Sequence, residues 1–168
     1  AIRRQRQMCI RDRANLLLKE LEVYIQRIGG KRILDERVDF GIISPYRAQV
    51  QYLRSKIKAS AVLRPYRSLF TVNTVDGFQG QERDVIFISL VRANEDGQIG
   101  FLNDLRRMNV AITRARMKLV ILGEAETMKR HKFYREFLEY IGKNYKIERP
   151  VTRDNTRLLS EQLPDSCQ

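Results

Sequence analysis

With 168 residues, an apolar share of 43% and a formal charge of +12, the chain suits one domain with a buried core and leaves little room for two. No apolar run approaches the roughly 18–20 residues of a bilayer span, and the N-terminus has no apolar signal-peptide core, so no membrane partner is expected. Cys9 and Cys167 lie near opposite ends; they make neither a metal-ligand cluster nor a disulfide framework, which points to a reducing, cytoplasmic setting.

The opening stretch, residues 1–13, is compositionally foreign to the rest of the chain, with five arginines and one aspartate. It shows no helix or strand period and reads as a non-native or disordered segment; a basic arm that binds phosphate is the alternative. Setting it aside leaves a charge of +8. A basic domain commonly meets polyanions, because each neutralised phosphate releases counterions. A well-charged soluble surface is the plainer alternative.

Ala14 to Ile28 reads as a helix, with Leu17, Leu18, Leu21, Ile25 and Ile28 on one face. Gly29-Gly30 stops it, and Lys31 to Asp39 reads as a charged connection. Phe40-Gly41-Ile42-Ile43 suits a strand covered on both faces. Ser44-Pro45 ends that strand and starts a helix, Tyr46 to Ala59, with Val50, Leu53 and Ile57 on one side. Strands are expected at Leu69–Val72, Asp84–Leu90 and Leu119–Gly123. Asn94 to Gly100 reads as a turn, and Asp104 to Arg116 as a helix with Leu105, Met108, Ile112 and Ala115 on its apolar side. Helices from about Ala125 to Arg130 and Lys132 to Gly142 close the domain, and the polar tail, residues 144–168, reads as extended.

Short apolar strands alternating with helices predict an α/β fold: a three-layer, mostly parallel sheet. Ligands of such sheets gather at the carboxyl ends of the strands. Ser44 to Arg47, Asn73 to Glu82 and the connection after Leu90 are expected there.

A complete P-loop ATPase needs a glycine-rich loop ending in Gly-Lys-Ser or Gly-Lys-Thr. Here Gly30-Lys31 precedes Arg32 and Gly142-Lys143 precedes Asn144. Asp35-Glu36 follows no apolar strand, and His131 sits among cations, so no metal site is expected. In Thr74-Val75-Asp76-Gly77-Phe78-Gln79-Gly80-Gln81-Glu82, the glycines allow backbone N–H groups to approach an anion. A plain strand connection is the alternative. On a helix, Arg107 and Arg114 share a face, as do Arg106 and Thr113. That aims guanidiniums, the preferred planar phosphate donors, away from the sheet. A solvated basic face is the alternative.

Together, Ser44-Pro45-Tyr46-Arg47-Ala48-Gln49, the Thr74–Glu82 loop and Arg106-Arg107-Met108-Asn109-Val110-Ala111-Ile112-Thr113-Arg114-Ala115-Arg116 stand in the order and spacing of helicase motifs IV, V and VI. The stretch Val91-Arg92-Ala93-Asn94, followed by Gly100-Phe101-Leu102-Asn103-Asp104, also resembles the senataxin-like and nonsense-mediated-decay branch of superfamily 1. The resemblance runs from about Asp39 to Gly123. It implies a C-terminal RecA-like motor domain of the P-loop NTPase type, residues 14–143, that lacks the phosphate loop itself. Such a domain clamps ATP against an N-terminal RecA-like domain, which holds Mg²⁺.

The resemblance implies further that Arg114 is the arginine finger, that Glu82 accepts from the ribose, that Gly80 lies against the nucleotide and that Tyr46 stacks on the base. Gln49 and Arg107 would support the nucleotide. Ser44, Asn73 and Thr74 would touch the backbone of a single DNA or RNA strand, with turn capping as their alternative. The competing readings are a nucleic-acid-binding module without motor activity and a structural RecA-like domain in a larger assembly.

Overall fold

The fold is described from a computed structural model covering residues 2–90, 104–123 and 128–144, with side chains from Arg11 onward. Four strands, β1 (Phe40–Ile43), β2 (Phe70–Asn73), β3 (Arg83–Ser89) and β4 (Ala115–Leu122), form one sheet in the order β2-β1-β3-β4. Every pairing is parallel, with Phe40 opposite Phe70 and Val85, and Ile86 opposite Leu119. Parallel strands need long crossovers. Here these are α3 (Arg47–Ala59), the loop after β2, and α4 (Leu105–Ile112) with the residues before it.

Helices α1 (Ile2–Ile28), α2 (Gly30–Asp35) and α3 cover one sheet face. Leu17, Leu21, Ile25, Ile33, Leu53 and Ile57 pack there on Phe40, Ile42, Val72, Val85 and Phe87. On the opposite face Ile43, Ile86, Ile88 and Leu90 meet Val75 and Phe78 from the loop, Met108 and Ala111 from α4, and Tyr134 from α5 (Lys132–Asn144). The centre of the sheet is buried on both sides, so β1 and Val85 to Ile88 of β3 are continuous apolar runs rather than alternating ones. The three layers and the parallel α/β sheet agree with the sequence reading. Tyr134 is fully buried, and burial, helped by the Asp104 carboxylate, pushes its phenol up to about 12.

Several boundaries differ from those expected. The backbone of α1 runs back to Ile2, through the segment set apart by composition. Arg, Gln and Met are good helix formers, and extending a helix costs far less than nucleating one. Within the supposed connection after Gly29, α2 forms because Ile33 is buried in the core. The largest difference lies at motif VI: the helix ends at Ile112, and Ala115 already pairs with Arg83 as the start of β4. The Thr113 hydroxyl donates to the Asn109 carbonyl (2.9 Å), offering the backbone an alternative to another helical turn. Arg114 and Arg116 are therefore not helical, and neither the Arg107–Arg114 nor the Arg106–Thr113 pairing shares a helix face. Asn144, expected to open the tail, is the last residue of α5. The connection after Leu90, the Asn94–Gly100 turn, the start of the Ala125–Arg130 helix and the tail from residue 145 lie outside the described residues.

Candidate functional site

The residues singled out in the sequence fall into two groups, at opposite ends of the sheet. Because β2 and β3 are parallel, the Thr74–Glu82 loop must travel the length of the sheet. Only its start lies at the carboxyl ends; Gly80 and Glu82 arrive at the amino ends, just before β3. Helix α4 makes the same journey beside it and delivers Arg114 to the amino end of β4.

At the amino ends, the Arg83 N–H donates to the Arg114 carbonyl (3.0 Å), which brings Glu82 and Arg114 side by side along the chain ends. Gly80 has φ +75, a conformation that favours glycine, and a Cβ built there would meet nothing within 4 Å. The backbone there faces open space that a ligand could occupy. The Glu82 side chain is exposed, with no hydrogen bond or ion pair among the described residues.

The two arginines of Thr-Arg-Ala-Arg have different partners. Arg116 Nη2 lies 3.3 Å from Asp39 Oδ1 and 3.0 Å from Asp84 Oδ1. Asp39 and Asp84 also accept from each other's backbone N–H (2.6 and 3.1 Å), clamping the starts of β1 and β3. Arg116 thus balances a carboxylate pair. Arg114 instead donates from Nε to the Val110 carbonyl and from Nη2 to the Thr113 hydroxyl, both at 3.0 Å. It caps the C-terminal end of α4, where a cation is favoured, and is committed to no carboxylate. Of the two, Arg114 is the one free to exchange its partners for an incoming anion.

At the carboxyl ends, Ser44, Gln49 and Ser89 are fully buried. The Ser44 hydroxyl donates to Gln49 Oε1, and Gln49 Nε2 donates to the Ser89 hydroxyl (2.9 Å). Ser44 Oγ also accepts from the Tyr46 N–H (3.3 Å). These bonds fasten the ends of β1 and β3 to the first turn of α3 and satisfy polar groups that would be costly to bury alone. Tyr46, half-buried, stands at the N-cap of α3. Asn73 turns onto its own loop, its Oδ1 accepting from the Thr74 N–H (2.9 Å). Any larger residue at Gly77 would strike the Asn73 side chain. Thr74 is half-buried, and its hydroxyl makes no hydrogen bond among the described residues.

Arg107 links the loop to α4, its Nε 3.3 Å from Asp76 Oδ1 and 3.4 Å from Asp104 Oδ2. Asp104 caps α4 by accepting from the N–H groups of Arg106 and Arg107. The Arg83–Arg114 backbone hydrogen bond therefore places Glu82 and, two residues before it, Gly80 on the loop that joins Arg114 at the amino ends; Ser44, Tyr46, Gln49 and Asn73, with Thr74 next in the chain, gather at the carboxyl ends, and Arg107 stands where α4 begins. The Asp39–Asp84–Arg116 clamp is absent from the sequence reading; its one trace there is that Asp39 and Asp84 each precede an apolar run. Among the described residues no group of three His, Cys, Asp or Glu side chains is arranged to hold a metal ion, and no helix is long and apolar enough to cross a membrane.

Comparison with known proteins supplies the family. The family described as "AAA domain" matches residues 4–126. DNA polymerase alpha-associated DNA helicase A of Saccharomyces cerevisiae is 43% identical over 116 residues, covering 68% of this chain and 16% of that protein. Helicase sen1 of Schizosaccharomyces pombe is 40% identical over 71% of this chain and 7% of its own length. A regulator of nonsense transcripts 1 homolog of Neurospora crassa is 39% identical over 75% of this chain and 12% of its own length. The chain spans only these small shares of much longer relatives. With its parallel RecA-like sheet, the chain belongs to the AAA domain family and is a helicase-family domain.

Proposed function

We propose that the chain is the second motor domain of an ATP-dependent nucleic-acid helicase or translocase, and that it contributes one wall of an ATP site completed by a first motor domain of the same full-length protein. The observation that carries this reading is the amino-end group. Gly80 with open space above it, an uncommitted Glu82 carboxylate and an Arg114 guanidinium held only by a carbonyl and a hydroxyl lie on the two segments that lead into β3 and β4 and are joined by the Arg83–Arg114 backbone hydrogen bond. These residues fit a nucleotide: Arg114 offers a planar donor to phosphate oxygens, Glu82 an acceptor for ribose hydroxyls, and Gly80 a close backbone approach.

Bound ATP would supply a charged phosphate chain whose terminal phosphoryl group passes to water, and Mg²⁺ would be held mainly by the first domain. With ATP bound, the Arg114 guanidinium would exchange its Val110 carbonyl for a phosphate oxygen and so hold the two domains together. When that contact is lost, the guanidinium returns to the end of α4 and the cleft opens. Arg107 holds the loop against α4 through Asp76, keeping Gly80 and Glu82 in register with Arg114. Thr74 and Asn73, at the other end of the sheet, take the backbone of a single strand of DNA or RNA. Ser44 and Gln49 act by fixing the strand ends beneath them.

For Tyr46 a second reading has a specific observation in its favour. Tyr46 follows the carboxyl end of β1, which lies beside the end of β2 that carries Thr74, and not near the amino end of β4 where Arg114 stands; this favours a base of the strand over the base of ATP as its stacking partner.

The test compares ATP hydrolysis by the chain alone and by the full-length protein, each with and without single strands. Strand-stimulated turnover is expected only from the full-length protein. Stimulated turnover by the chain alone would overturn the half-site reading, and absence of turnover from both would favour a binding module without motor activity.

A further inference from the structure

One basic groove contains none of the site residues discussed above. Along the outer edge of β2, between α3 and the 3-10 helix Arg64–Leu69, runs a groove of about 360 Å³. Arg54, Lys58 and Arg67 line it, over an apolar floor that includes Ile57, Phe70 and Val72. Among the described residues, the lining contains no carboxylate. Lys58 and Arg67 are exposed, and neither forms an ion pair or hydrogen bond among the described residues. The Phe70 ring is fixed edge-to-face on Phe40, centroids 5.4 Å apart.

We propose that this groove is a further single-strand nucleic-acid site, in which Lys58 and Arg67 neutralise backbone phosphates and the Phe70 side of the floor takes a sugar or base. Three observations choose this occupant. An edge strand can recruit a peptide strand through its outward carbonyls, but Arg54 already occupies the Val72 carbonyl with Nε (3.0 Å) and Nη2 (2.6 Å). Cations with no carboxylate to balance them match a polyanion, and a basic groove beside an ordered aromatic ring is the arrangement that tracks single strands without reading sequence. The groove also leads directly to Asn73 and Thr74 at the end of β2, so one strand can pass from the carboxyl-end contacts down the sheet edge. The proposal rests on the nucleic-acid reading of the domain and lengthens the path that reading requires.

The test measures affinity of the whole chain for a fluorescent oligothymidylate across a salt series. Each phosphate contact on a single strand contributes about 0.7 to the slope of log affinity against log salt. Lys58→Ala/Arg67→Ala is expected to lower that slope by about 1.4. Lys118→Ala/Lys143→Ala removes the same charge from exposed positions outside the groove and is expected to leave the slope unchanged. Salt-dependent binding with an unchanged slope in the groove variant, or an equal fall in the control, overturns the groove while leaving the nucleic-acid reading intact. No salt-dependent binding by the unaltered chain overturns both.

Discussion

Replacing Arg114 by alanine in the full-length protein is expected to cut strand-stimulated ATP turnover by about 10³-fold or more, with single-strand affinity essentially unchanged. The size follows from where the charge acts. A guanidinium aimed at phosphate oxygens in a closed, water-poor cleft stabilises the charge of the transferring group far more than it would in water. The unaltered binding follows from the topology, because Arg114 lies at the amino end of β4, whereas Asn73 and Thr74, proposed to contact the strand, lie at the carboxyl end of β2, and the proposed groove runs along the sheet edge farthest from β4. Arg114→Lys keeps the charge but loses the planar fork and is expected to recover little of the activity. In the same assay Arg116→Ala makes the contrast: it loosens the Asp39–Asp84 clamp and should lower stability more than it lowers the rate of folded enzyme. Near-normal turnover by Arg114→Ala, measured at saturating ATP and strand, would refute the role given to this residue.

Phe78→Ala is expected to destabilise the domain by about 3–5 kcal/mol, read as a shift in the denaturant midpoint at constant slope. Phe78 is fully buried and belongs to the cluster formed by Ile43, Ile86, Met108 and Tyr134. Its seat exists because position 41 is glycine. A Cβ at Gly41 would come within 2.9 Å of the Phe78 ring and closer still to the Ile86 side chain. The phenyl ring is thus the pin that holds the Thr74–Glu82 loop on the sheet while its polar residues remain at the surface. A loss of that size is a large fraction of the roughly 5–15 kcal/mol that stabilises a typical domain. It should also free Gly80 and Glu82 from their register with Arg114. A loss below about 1 kcal/mol, the range of ordinary surface changes, would mean that the loop is not anchored by this residue.

Strands β1 and β3 were legible because they are buried on both faces. Phe40-Gly41-Ile42-Ile43 and the run from Val85 to Leu90 have no polar alternation, and turn residues frame them. Helix α3 was legible from Val50, Leu53 and Ile57, which recur at helical spacing and all reach the core. What escaped depends on long-range pairing. Met108, Ile112 and Ala115 continue a helical period, and nothing local says that Ala115 will instead pair with Arg83. That pairing turns the end of motif VI into a strand and separates Arg114 from the face of Arg107. The same holds for Glu82: a loop that begins at a carboxyl end looks as though it stays there until the parallel register is known.

Burial of polar groups was the other hidden quantity. Ser44 and Gln49 read as ligand contacts because their type and motif suit that task. The structure gives them buried hydrogen bonds to each other and to Ser89, a residue whose distance in sequence concealed the partnership. The motifs put Gly80, Glu82 and Arg114 together with Tyr46, Gln49 and Arg107 around one nucleotide, whereas the fold sets Tyr46 and Gln49 at the carboxyl ends and Glu82 and Arg114 at the amino ends, where β3 and β4 begin side by side.

The most direct measurement uses an ATP analogue with a photoreactive group on its γ-phosphate, bound to the full-length protein with a single strand present. Label is expected on the turn between α4 and β4, at Thr113 to Arg116, together with the phosphate-binding segment of the first motor domain, and should be lost when unmodified ATP competes. Label confined to other parts of the protein, with none recovered at that turn, would contradict the claim that this domain closes over the nucleotide through Arg114.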